Sequence, residues 1–183
     1  MFNVRVSLLY GNPYSKKGRF FKVWYNVLYM DNKLLEEIIT FLKGDKVKLC
    51  AVSTVTEDCK PESAFVYYAF DENLNIYFIT RAGSRKYKNG IKNPNVSFVA
   101  FTENPPKTLQ LEGTLSVVMD PKDQIKLFPE LVTLATERNL VPPISQMDTS
   151  EVMFMKITPN WVRFGNFELG RDDGMFHEIK LKG

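Results

Sequence analysis

The sequence predicts a mainly β domain of α+β character, in which antiparallel strands close a small barrel. Three observations carry this. Short apolar, β-branched runs recur with turn residues between them, at 46–56, 62–70, 75–80, 96–102, 108–119, 152–158 and 161–167. Most of the joints between neighbouring runs are short enough for hairpins, which implies antiparallel pairing. One helical pattern precedes the strands and only two interrupt them, too few for alternating β–α units.

The elements follow in order. Asp31 or Asn32 offers a side-chain oxygen to the free amide protons of a first helical turn. Leu34, Leu35, Ile38, Ile39 and Leu42 then recur at helical spacing, and Gly44 ends the run, so an amphipathic helix is expected over 32–43. Glu57-Asp58-Cys59-Lys60-Pro61 and residues 71–74 supply turn chemistry around the strand 62–70, so the first three strands read as a meander. Residues 81–93 break the β pattern: Gly83 and Ser84 open a short helix, and Asn93-Pro94 closes it. In the strand 108–119, Gly113 marks a bulge or a close backbone approach. Asp120 and Pro121 are a cap and a first helical residue. They start a helix over 121–138 whose apolar face is Ile125, Leu127, Phe128, Leu131, Leu134 and Ala135. A loop at 139–148, with Pro142-Pro143, leads to the last two strands.

Composition narrows the function classes. Of 183 residues, 44% are apolar and 25% charged, a globular balance, and 14 Phe and 8 Tyr supply bulk for a core or for a planar-ligand pocket. The net charge of +3 is uneven. Residues 1–29 carry Arg5, Lys16, Lys17, Arg19 and Lys22 and no acid, whereas residues 30–183 carry 19 bases against 21 acids. The domain proper is therefore mildly acidic, which gives no ground for nucleic-acid binding. Residues 1–29 read as an appendage outside the fold, with a basic arm that docks on a partner as the other reading; the domain then occupies 30–183. Val6 to Tyr10 is too short an apolar run, and lies before most of the bases, for a secretory leader. No run approaches the ~20 apolar residues that span a bilayer. Two cysteines and one histidine, His177, stand in no metal-ligand spacing, and a reduced, cytoplasmic compartment is expected. Cys50 reads as core filler and Cys59 as a turn residue. No paired acids suited to hydrolysis and no glycine-rich nucleotide loop are present.

The densest chemical signal is Thr80-Arg81-Ala82-Gly83-Ser84-Arg85-Lys86, placed after a strand and at the start of a helix. Free amide groups and the helix dipole favour an anion there. Arg85 adds a planar fork and Lys86 a point charge. The same residues also read as a solvated basic helix, since Arg81, Lys88 and Lys92 continue the charge run.

The stretch Ile76-Tyr77-Phe78-Ile79-Thr80 through Ser84-Arg85-Lys86, followed by Asn93-Pro94-Asn95-Val96-Ser97, resembles the pyridoxamine 5'-phosphate oxidase-like FMN-binding split-barrel superfamily. The order of the other elements agrees over roughly 32–168. The resemblance implies an antiparallel split β-barrel with flanking helices and FMN as cofactor. It implies that Ser84, Arg85 and Lys86 hold the flavin phosphate and that Thr80 and Ile79 line the same site. It further implies that a stretch of the second strand beginning near Ser63 runs along the flavin. Thr108, five residues before Gly113, would contact the flavin as well. Members generally complete the site with residues from both subunits, so a homodimer with the flavin near the interface is expected. The run Val66-Tyr67-Tyr68-Phe70 alternates poorly, as a strand covered on both faces would, one face by its own barrel and the other by a partner or by the helix 121–138.

The departures are as informative. The true oxidase has an Arg at the position of Ser63, a Lys near Tyr68, and a C-terminal Trp followed by Arg-Leu-His-Asp-Arg. Here the chain reads Trp161-Val162-Arg163-Phe164-Gly165, and His177 stands alone in Phe176-His177-Glu178. The groups that grip the vitamin B6 phosphate have no counterpart, and no vitamin B6 enzyme is expected. The sequence leaves open a flavin-dependent oxidoreductase on an unknown small molecule, a non-catalytic flavin, deazaflavin or haem binder, and a dimer that has lost its cofactor.

Overall fold

A computed structural model of the chain describes residues 27–44, 49–136, 151–170 and 174–181. The segment 1–26 and the loop 139–148 lie outside these residues. The elements are α1 (Val27–Lys43), β1 (Leu49–Val55), β2 (Pro61–Tyr67), β3 (Ala69–Phe70), β4 (Ile76–Arg81), α2 (Arg85–Lys92), β5 (Asn95–Glu103), β6 (Pro106–Val117), α3 (Pro121–Thr136), β7 (Val152–Asn166) and β8 (Phe176–Lys180). All strand pairs are antiparallel, and the order is β2-β1-β5-β6-β7-β4-β3 with β8 beside β7. This is the expected split barrel with flanking helices.

The way the sheet closes corrects the expected meander. The segment 62–70 is not one strand. β2 pairs with β1 at one end of the sheet, and β3 pairs with β4 at the other. One extended stretch therefore supplies both ends of the sheet, and it changes partner at Tyr68. The poor alternation there has this cause: Val66, Tyr68 and Ala69 are all buried, and the Tyr68 ring meets Phe98 edge-on at 5.6 Å. A strand that turns a corner shifts its inward face by one residue.

Other differences are local. The first helix begins at Val27, so Asp31 and Asn32 lie within it and not at its start. The last two expected strands are one, β7, running through Pro159-Asn160. The register to β6 shifts between Glu112 and Gly113, so Asn160 is taken up as a bulge and not as a turn. Gly113 is needed there, since a Cβ would stand 2.4 Å from the Thr158 carbonyl oxygen. β8 carries only five residues and was not marked by any alternation strong enough to read.

Inward residues of every long strand fill the barrel, among them Val52, Phe78, Phe98, Leu109, Leu111, Ile157 and Phe164. α1 closes one mouth with Ile38, Phe41 and Leu42; Phe41 meets Phe164 edge-on at 5.5 Å. α2 packs at the other mouth, where a Cβ on Gly90 would overlap Leu115. α3 lies outside β4, over Ala69, Val118 and Phe154. Among the described residues no helix is long and apolar enough to cross a membrane.

Candidate functional site

β4 ends at the α2 mouth of the barrel. Its period-two alternation turns Thr80 inward, where the side chain is buried, and Ile79 outward into the cluster under α3. Ile79 therefore adjoins the Thr80 group through its backbone alone. Ser84 caps α2, accepting the Tyr87 amide proton at 3.3 Å. Its Oγ lies 2.9 Å from Thr80 Oγ1, and Lys86 Nζ donates to the same Thr80 oxygen at 3.3 Å. Thr80, Ser84 and Lys86 are thus brought together at the first turn of α2.

The lysine defines the chemistry. Lys86 is half-buried, and burial lowers its pKa from the ordinary lysine value. Among the described residues it makes no ion pair with a carboxylate. A cation partly withdrawn from water, beside two hydroxyls and a helix N-terminus, is completed by an anion. The arrangement suits a phosphate oxygen.

Arg85 is arranged differently. Its guanidinium pairs with Glu62 on β2. Glu62 also accepts from Asn89 Nδ2 at 2.9 Å, and the same amide donates to Thr54 Oγ1 at 3.1 Å. Arg85 and Asn89 are four residues apart on one face of α2, and Thr54 and Glu62 face each other across β1 and β2. This polar cluster was missed in the sequence. Its one legible signal was an Asn in the interior of a short helix, where that residue is unfavourable without a partner.

The remaining expected residues lie elsewhere. Ser63 faces the outside of the sheet, and its Oγ lies 2.7 Å from Ser53 Oγ. Tyr68, near which the true oxidase carries a Lys, is a core residue. Thr108 is opposite Gly165 near one end of β7, whereas Thr80 is opposite Met153 near the other. One chain does not bring these two threonines together.

The Thr108 end has its own surroundings. The Thr108 hydroxyl donates to the Ala100 carbonyl at 3.3 Å. A Cβ on Gly165 would come within 2.9 Å of Thr108 Cγ2 and 2.7 Å of the Phe176 ring, so this ring lies close over the strand. Phe176 meets Phe167 edge-on at 5.6 Å, and the Arg163 guanidinium stands 4.1 Å from the Phe176 ring centre. His177 sits on β8 opposite Phe164. On the same outer face, Phe65 and Val99 flank Ala51 in register, and Phe101 is opposite Thr108. Phe65 is 72% exposed and Phe101 53%.

Comparisons with known proteins agree with this architecture. The profile of the pyridoxamine 5'-phosphate oxidase family matches residues 34–166. Solved structures share the fold. General Stress Protein 26 of Bacillus anthracis is 24% identical with a TM-score of 0.59, over 81% of this chain and 98% of that one. A pyridoxamine 5'-phosphate oxidase-related, FMN-binding protein of Nostoc punctiforme is 12% identical with a TM-score of 0.50, over 89% and 98%. A haem-binding protein of Mycobacterium smegmatis is 13% identical with a TM-score of 0.57, over 73% and 52%. No curated protein matches the chain.

Proposed function

This chain belongs to the pyridoxamine 5'-phosphate oxidase family, and we propose that it binds FMN and works as a homodimeric flavin-dependent oxidoreductase on a small molecule. The observation that carries the reading is Lys86: a half-buried cation bonded to Thr80 at a helix N-terminus, beside the Ser84 hydroxyl. Lys86, Thr80, Ser84 and the first amides of α2 would hold the phosphate, with Arg85 at its rim. β2 ends the sheet and has an open backbone edge, suited to the polar edge of a flavin ring. FMN, when bound, supplies the hydride or electron transfer, and the protein orients it and shapes the space above the ring. Exposed Phe65, Val99 and Phe101 supply an apolar face for a second copy, which would carry Thr108 toward the first copy's ring. Two free cysteines, Cys50 and Cys59, fit a reducing compartment such as the cytoplasm.

Absorbance of the purified protein tests the cofactor, with mass spectrometry of whatever it releases. Flavin bands and FMN are expected; a haem Soret band, a deazaflavin, or no chromophore together with no uptake of FMN would sink the reading. Reduction of the bound flavin by NADH or NADPH under turnover separates an enzyme from a storage protein. Oxidation of pyridoxamine 5'-phosphate should be weak or undetectable.

A further inference from the structure

We propose that Glu62 is a positioning residue for phosphate recognition, acting through Arg85; the proposal rests on the FMN reading above. The side chain of Arg85 is 80% exposed, whereas that of Glu62 is only 18% exposed. A long, exposed arginine on its own samples many rotamers, so an anion that recruits it must restrict that freedom. Glu62 removes part of this cost beforehand. The Asn89 amide bridges Glu62 and Thr54, fixing the carboxylate against both α2 and β1. The carboxylate in turn engages one edge of the guanidinium. Its remaining N–H groups stay open to solvent, one residue before the lysine that meets Thr80.

Glu62 also settles how charge is shared. It offsets Arg85 and leaves the inner cation, Lys86, without a carboxylate among the described residues. The inner position is thus reserved for the ligand, and the outer arginine is held in place as a rim contact. On this arrangement Glu62 discriminates for the phosphate-bearing flavin and is indifferent to the ring.

A double-mutant cycle on the full-length chain tests this, with FMN and riboflavin titrated separately by flavin fluorescence. Glu62→Gln keeps the size and can keep the Asn89 contact. It should weaken FMN binding roughly threefold to tenfold, as expected for an oriented pair at a partly exposed site. Riboflavin, which lacks the phosphate, should bind the variant and the parent alike. In an Arg85→Ala background the same change should do almost nothing, because the group it positions is gone. An FMN affinity that is unchanged or tightened by Glu62→Gln, or an equal loss with and without Arg85, would overturn the proposal. A loss for riboflavin equal to that for FMN would overturn it too, since it would mark a structural effect. If the parent protein binds no FMN at all, the FMN reading itself has failed.

Discussion

The two ends of β7 carry different kinds of chemistry. At the Met153 end, the β4–α2 connection gathers hydroxyls and a half-buried lysine within seven residues of sequence. At the Gly165 end, Thr108 sits under aromatic side chains contributed by segments far apart in the chain. The first is a local group of two hydroxyls and a lysine, suited to an anion, that one chain builds unaided. The second is an aromatic surface with one buried hydroxyl, Thr108, and the cation there, Arg163, lies against the Phe176 ring and beside Glu178. If both ends serve one flavin, the first takes the phosphate of one copy and the aromatic end faces the ring held by the other.

This contrast can be broken most sharply at the first end. Truncating Arg85 and Lys86 together to Ala would remove two charge-assisted contacts to the proposed phosphate, each ~1.5–3 kcal/mol. FMN affinity should fall by about two to four orders of magnitude, at about 1.4 kcal/mol per tenfold. A titration indistinguishable from that of the parent would remove the phosphate from this end.

The aromatic face is tested by Phe65→Glu together with Phe101→Glu. Interface anchors of this kind contribute about 2 kcal/mol or more each when truncated. Light scattering should report a monomer, and flavin should be lost on dilution, because a ligand that bridges two copies binds only the dimer. A 21.1 kDa monomer fully loaded with flavin would separate the two ends for good.

Between the ends lies the bulge opposite Gly113, where the β6–β7 register shifts. Gly113→Ala should cost about 1–3 kcal/mol, the usual range for a forced close contact. The loss should appear as a lower midpoint in thermal unfolding. An undiminished midpoint would mean that β7 accommodates the extra methyl without moving Thr158.

The smallest effect is expected from starting the chain at Met30. This removes the first three residues of α1 but keeps Leu34, Ile38, Phe41 and Leu42, which pack on the core. Solubility and FMN affinity should be nearly unchanged. Insoluble protein would show that the removed segment is needed by the fold or by the dimer.

Much of the fold is legible in the sequence itself. Most strands, the start of α2 at Ser84 and the close backbone approach at Gly113 follow from alternation, capping and glycine chemistry, while the grouping of Thr80, Ser84 and Lys86 is implied by the family resemblance. These are short-range properties, decided within a few residues. What tertiary structure alone decided depends on contacts between distant segments. The corner at Tyr68, which hands one extended stretch to both ends of the sheet, exists because β1 and β4 claim its two halves. The uninterrupted β7 passes through Pro159-Asn160 because a glycine on β6 makes room for the bulge. Glu62 reaches Arg85 because a hairpin and a helix are folded against the same barrel mouth. The residue pattern of 57–62 carries no trace of that ion pair, because the energy that forms it is supplied by α2, more than twenty residues further along the chain.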